Sequence, residues 1–389
     1  MYEGKLVFAQ VMEHLPLYTL RRTIDRFGGD RFAKGFSCQD QFRCMAFAQL
    51  TYRESLRDTV TCLNAQAGKL YHMGIRGRVR RSTLADANEA RDWRIYATFA
   101  AALIAQARAL YADDPLLPEL AGAAYALDTS TIDLALSLFP WAPFERSRGA
   151  LKLHTQMDLR GNIPVLVHID HGRSYDTDIL DVLVPEPGAI YVMDRGFLDL
   201  VRLHRLTQAA AFFVVRTRSG LRLKRTLSRP VDRNSGIICD QNVRLALSDS
   251  AQKYPERLRR VRYRDPQTGK ALQFLSNNFV LSPLTIAELY RRRWQIELFF
   301  KWIKQNLRIK SFFGTSPNAV KTQIWIAVCV YVLVAIIKKR LRLDLSLYTI
   351  LQMLSVTIFE KTPIDQLLRA AQPPNHAHPP DNQLNLFDV

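Results

Sequence analysis

Three carboxylates stand apart from their surroundings in this 389-residue sequence. Asp128 in "YALDTST" and Asp194 in "YVMDRGF" each follow an apolar run, which predicts a position at or just past a strand end. Open α/β sheets bind ligands at that edge, so each aspartate is either a turn or cap residue or a metal ligand. The third, Glu297, is the lone acid of "YRRRWQIELFFKWIKQNL", residues 290–307, a stretch with helical spacing. Tyr290, Glu297 and Lys304 are seven apart, so at about 100° per residue each lies within about 20° of the next, with Arg293 about 40° from Glu297. One face therefore presents Tyr, Arg, Glu and Lys. Trp294, Ile296, Leu298, Phe299, Phe300, Trp302 and Ile303 make the rest apolar. An exposed Arg293–Glu297 pair would be worth only some tenths of a kcal/mol. A helix buried on most sides would instead aim this charged stripe at something.

The elements that must position these residues follow from changes of period. Residues 1–80 read as short helices: "LVFAQVMEHL", "LYTLRRTIDRF" ending at Gly28-Gly29, "CQDQFRCMAFAQL" and "ESLRDTVTCLNAQ". Residues 81–118 follow the basic stretch "GIRGRVRRS" as a linker helix, with Ser82 or Thr83 as its cap and a run from about Leu84 to Tyr111. In 119–215 the pattern becomes extended: three strands of a meander, then helix, strand, helix and strand, which predicts an α/β sheet flanked by helices. Residues 216–282 are short polar strands rich in Arg and Lys, read as a β-rich basic insertion. Helices return over 283–350, the second half of the α/β core, and 351–389 are a C-terminal helix and a flexible tail containing "QPPNHAHPPDNQ".

Composition narrows the function class. A net charge of +18 and a pI near 9.9 exceed what solubility requires and draw a protein to polyanions, above all nucleic acid. The five cysteines are scattered, without a C-x-x-C pair or a histidine at ligand spacing, which fits reduced thiols in the cytosol. The opening "MYEGKLVFAQVM" has no basic stretch followed by a long apolar run, so no signal peptide is expected. The apolar run Ile324–Ile337 is shorter than the roughly 20 residues that span a bilayer and reads as a buried core helix. No phosphate-loop motif G-x-x-x-x-G-K-[ST] and no G-x-G-x-x-G occurs, which argues against nucleotide-driven chemistry.

Taken together, these residues resemble the bacterial insertion-sequence type 4 family of Asp-Asp-Glu transposases. The family's signature, Tyr, two residues, Arg, three residues, Glu, six residues, Lys, matches without a gap at Tyr290, Arg293, Glu297 and Lys304. "LDTST" and "MDRGF" resemble its two aspartate motifs in order and spacing. The resemblance covers about residues 1–350 and implies a ribonuclease-H-like mixed sheet with an all-helical N-terminal DNA-binding module. It implies that Asp128, Asp194 and Glu297 are catalytic metal ligands and that Tyr290, Arg293 and Lys304 contact phosphates. Hard carboxylate oxygens suit Mg²⁺ or Mn²⁺. Two such ions, roughly 3.5 to 4 Å apart, activate the attacking oxygen and stabilise the leaving one. The implied reaction is hydrolysis at the transposon ends followed by 3′-hydroxyl strand transfer, with a hairpin intermediate known among relatives.

The implied partners are double-stranded DNA, both terminal inverted repeats and target, and a second protomer in the synaptic complex. The basic strands, including "RLRRVRYR", alternate cations along one face suited to phosphates. Arg21, Arg22, Arg26, Lys34, Arg43, Arg53 and Arg57 give the N-terminal module its basic surface. In the tail, "QLNLF" resembles the peptide by which bacterial proteins dock on the replication sliding clamp, through Gln383, Leu384, Leu386 and Phe387. The expected location is the cytoplasm, at the nucleoid. Asp133, Asp158, Asp170, Asp176 and Asp178 compete for the site; Asp170 reads as a turn beside His171, and His168 and His171 as structural histidines. The alternatives are a DNA-binding repressor or domesticated relic that has lost catalysis, and a stand-alone nuclease of the same fold.

Overall fold

Side-chain caps begin many of the helices in this chain. The computed structural model describes residues 4–120, 122–144, 148–217, 220–307 and 312–370. Helices α1 (Val7–Glu13), α2 (Leu17–Arg26), α3 (Cys38–Leu50) and α4 (Leu56–Ala65) form the opening module. Ser37 and Asp40 cap α3 reciprocally, each side chain accepting from the other's backbone N–H. Beyond α2, Gly28 takes φ +62, as its Gly-Gly ending predicts.

The single helix expected from Leu84 to Tyr111 is two: α5 (Arg81–Ala90) and α6 (Arg94–Tyr111). Arg80 precedes α5 without a side-chain cap, so neither Ser82 nor Thr83 serves. The break is stabilised from a distance. Asn318 donates to the carbonyls of Asn88, Glu89 and Arg91 and accepts from the Trp93 N–H. Local periodicity cannot reveal a partner more than 200 residues away.

Among the described residues the strands form one nine-stranded sheet, in the order β3-β2-β1-β4-β5-β9-β8-β7-β6. Strands β1 (Ala124–Leu134), β2 (Gly149–Asp158) and β3 (Ile163–His171) make the expected antiparallel meander. The chain then passes through α7 (Ile179–Val182) to β4 (Ile190–Met193), and through α8 (Leu200–Gln208) to β5 (Phe212–Arg216), both parallel to β1. The basic stretch supplies β6 (Leu223–Arg229), β7 (Ile237–Leu245), α9 (Ser248–Lys253), β8 (Leu258–Arg264) and β9 (Ala271–Ser276). These strands extend the same sheet, because β9 pairs with β5. The expected alternation on β8 holds for Arg260, Arg262 and Arg264. Arg259 points the other way and is buried in an ion pair with Asp240.

Ser282-Pro283 and Ser316-Pro317 place a serine cap and a proline at the first helical position, starting α10 (Pro283–Arg292) and α12 (Pro317–Arg340). Between them lies α11 (Trp294–Leu307), and α13 (Leu347–Thr357) and α14 (Ile364–Arg369) follow. The apolar run is therefore longer than expected: α12 has 24 residues and is long and apolar enough to cross a membrane, yet 89% of its apolar window is buried inside the protein. It packs against α6, α3, α5, α11 and α13, so the core-helix reading stands on packing rather than on length. One apolar cluster runs from Val7 and Phe8 through Phe99 to Phe299 and Val332. The opening and closing helices also meet, with Val7 and Phe8 N–H donating to the Glu360 and Ile358 carbonyls. All five cysteines are free thiols, and Cys38, Cys44 and Cys329 are buried. "QLNLF", with Gln383, Leu384, Leu386 and Phe387, and the Pro- and His-containing tail lie outside the described residues.

Candidate active site

Asp128 stands in the middle of β1, which corrects the strand-end reading. The ladder with β2 carries β1 on to Leu134, whereas parallel β4 stops at Met193, in register with Leu127. Asp128 and Asp194 are thus the next residues on adjacent strands. Arg216 joins the row, because Val215 is in register with Met193.

Tyr290 and Glu297 come from two helices, not one. The helix ends at Arg292, and around Arg293 the bonding tightens. Its N–H is shared between the Leu289 and Tyr290 carbonyls, and the Ile296 N–H returns to the Arg293 carbonyl. The join nevertheless keeps Arg293 and Glu297 on one side, and the Arg293 side chain is only 8% exposed.

Arg293 occupies the centre. It donates to Asp128 Oδ2 at 2.6 Å and to Glu297 Oε1 at 2.8 Å, and its guanidinium lies 5.3 Å from the Tyr290 ring centre. The Tyr290 hydroxyl donates to Asp194 Oδ1 at 3.0 Å, and Arg216 is 3.8 Å from the same oxygen. An open cleft of about 520 Å³ is lined by Asp128, Thr129, Ser130, Glu297, Phe300, Lys301 and Lys304. Of the six residues expected at the site, Asp128, Glu297 and Lys304 line this cleft, Arg293 bonds both of its acids, and Tyr290 ties Asp194 to the side of Arg293.

The electrostatics distinguish the two aspartates. Burial pushes the Asp128 carboxyl up to about 6, with Glu297 and Asp194 adding to the effect and Arg293 and the Thr129 N–H opposing it. Burial would also raise Asp194. The Arg195 N–H, Arg293, the Tyr290 hydroxyl and Arg216 outweigh it and hold this carboxyl below the usual range. Burial alone would lower Arg293, but Asp128, Tyr290, Glu297 and Asp194 raise it, so it stays charged.

Among the described residues no group of three or more His, Cys, Asp or Glu is drawn together tightly enough to hold a metal ion. Arg293 stands between Asp128 and Glu297 instead. The donor chemistry still fits a hard divalent cation: acid side chains converge on a cleft, and burial makes the Asp128 charge costly without a counter-charge.

The competing acids are engaged elsewhere. Asp158 pairs with Arg108, Asp176 with Lys152 and Asp178 with Arg202, and Asp133 pairs with Arg148 at the surface. Asp170 accepts from the His171 N–H within the last residues of β3, paired to Lys152 and Leu151 of β2, so the expected turn begins only at Gly172. His168 lies in register with His154, which itself opposes Thr129, so both are on the reverse face from Asp128. His154 Nδ1 is 2.9 Å from Thr129 Oγ1. Two cations were missed although the signals were there: Arg216 follows "FFVV" as Asp194 follows "IYVM", and Lys301 is one helical turn beyond Glu297.

Known proteins share this stretch of the chain. Residues 126–333 match the family described as "Transposase DDE domain", and residues 3–76 match a domain of unknown function, DUF4372. A protein of Sinorhizobium fredii that carries a transposase name, y4zB, is 32% identical over 256 residues, 65% of this chain and 71% of that protein. A Geobacillus stearothermophilus protein named for insertion sequence element IS5377 is 31% identical over 209 residues, 53% of this chain and 54% of its own length. One from Synechocystis, named for insertion sequence element IS4SA, is 24% identical over 220 residues, 55% of this chain and 60% of its own.

Proposed function

The chain belongs to the DDE transposase family, DNA-cleaving and strand-transferring enzymes of insertion sequences that depend on divalent metal, and we propose that its acidic triad is Asp128, Asp194 and Glu297. The observation that carries this reading is the sharing of one buried guanidinium, Arg293, by Asp128 and Glu297 beside Asp194. We place the chain in the type 4 group, with a ribonuclease-H-like core; the order β3-β2-β1-β4-β5 supports this. Residues 1–80 would bind the inverted repeats, and the basic strands of 216–282 would bind phosphates. Residues 81–118 would link module and core, with 119–215 and 283–350 as its two halves and 351–389 as an appended helix and tail.

The triad would hold Mg²⁺ or Mn²⁺, two ions in the full site. When bound, such metal activates an oxygen nucleophile and stabilises the departing oxygen. The protein's own groups do the rest. Tyr290 and the Arg195 N–H fix Asp194, and the Thr129 N–H fixes Asp128. Lys301 and Lys304, which line the cleft, and Arg293, which bonds its two acids, would present cations to a phosphate there, where charge grows as the phosphodiester is displaced. Water is the first nucleophile and the freed 3′-hydroxyl the second, either on target DNA or on the opposite strand to give a hairpin.

Synapsis of two ends would take a homodimer, and the work would take place at the nucleoid. The tail peptide with Gln383, Leu384, Leu386 and Phe387 would dock on the sliding clamp; clamp capture unchanged by Leu386→Ala plus Phe387→Ala would refute that. The central experiment incubates the protein with Mg²⁺ and labelled DNA bearing the element's ends, beside Glu297→Gln. Metal-dependent nicking at the end is expected from the native protein alone. Equal cleavage by both would remove Glu297 from the triad.

A further inference from the structure

One buried hydroxyl near the site has no partner. Thr155 is directly opposite Asp128 in the β1–β2 ladder, is 0% exposed, and its Oγ1 makes no hydrogen bond among the described residues. Its row on β2 is otherwise apolar: Leu151, Leu153 and Met157 belong to the same core cluster as Ile296, Phe299 and Ile303 of α11. Valine has nearly the same shape and would fill the position without stranding a polar atom, so packing does not account for threonine. Directly opposed Cβ atoms in such a ladder are about 4.5 to 5.5 Å apart, within reach of a hydrogen bond after a side-chain rotation.

Asp128 is held at present by the Thr129 N–H on Oδ1 and by Arg293 on Oδ2. If Arg293 serves a substrate phosphate, Oδ2 loses its partner while the carboxylate must stay in place. We propose that Thr155 is a positioning residue for Asp128, its buried hydroxyl donating to that carboxylate when Arg293 turns to a phosphate. This rests on the reading of Asp128 as a triad member. The hydroxyl is idle in the resting arrangement and engaged in the working one. It therefore contributes nothing to the resting fold and bears on how firmly the acid is oriented. Groups that orient a metal-binding carboxylate typically change metal affinity about 10- to 100-fold when removed.

The test compares Thr155→Val, Thr155→Ser and Asp128→Asn as full-length proteins. Three measurements are made: thermal unfolding with chelator, the Mg²⁺ concentration giving half the Mg²⁺-induced rise in Tm, and cleavage of end DNA. Thr155→Val is expected to unfold at the native temperature or higher, to need about 10-fold more Mg²⁺ for the same rise, and to cleave correspondingly less. Thr155→Ser is expected to restore both. A Thr155→Val protein with the native Mg²⁺ dependence and cleavage would overturn the proposal, as would one that unfolds several degrees early, since the hydroxyl would then serve the resting fold. Native-like cleavage by Asp128→Asn would instead overturn the triad reading itself.

Discussion

Two buried arginines, Arg259 and Arg293, are each bonded to a buried or half-buried acid, and they differ in completeness. Arg259 and Asp240 are both 3% exposed, and the pair is bidentate, at 2.8 and 2.7 Å. The Arg259 guanidinium also donates to the Asn278 and Leu281 carbonyls, just before α10 begins. Arg293 divides its donors between two acids that line an open cleft, and leaves Nε without a partner among the described residues. A closed pair fixes structure; an open one leaves capacity for a phosphate. The first anchors the helix that delivers the second.

The contrast is tested most severely by Glu297→Gln. It should lower end cleavage at least about 10³-fold, ~4 kcal/mol of barrier, with little change in unfolding by denaturant. Arg259→Leu should do the reverse, costing about 3 kcal/mol of stability in a urea titration, because it leaves the buried Asp240 with Arg229 alone at 3.2 Å and takes the donor from the Asn278 and Leu281 carbonyls. If its loss of cleavage exceeded its loss of folded protein, Arg259 would belong to the site after all.

Asp128 gives a pH signature. Its carboxyl is raised from 3.8 to about 6, so the folded state holds this proton more tightly than the unfolded state. The stability it contributes is fully present below about 3.8 and is lost as pH rises through about 6. In chelating buffer, the stability of Asp128→Asn relative to the native protein should therefore rise as pH increases from about 4 to 7, on top of a pH-independent cost for the partner that Arg293 loses. A difference independent of pH would disprove that assignment. The smallest effect belongs to the exposed row on β8: Arg262→Ser plus Arg264→Ser should reduce the slope of log affinity against log salt by about 0.9 for each phosphate these arginines neutralise.

Much of this was legible beforehand. Apolar runs marked the strands of the meander and the two parallel strands, because these signals act within a few residues. The Tyr-Arg-Glu-Lys spacing and the two aspartates were readable for the same reason. What only the tertiary structure decided came from interactions across long separations. Asn318 breaks the helix at Arg91, β2 carries β1 past Asp128, and β9 joins the basic strands to β5. Arg293 bonds an acid 165 residues away, and Arg216 enters the site because the register of β4 and β5 sets Val215 level with Met193. Side-chain types and local period are properties of neighbours in sequence; which charges share a cleft depends on strand order and register, and these are set by the packing of the whole chain.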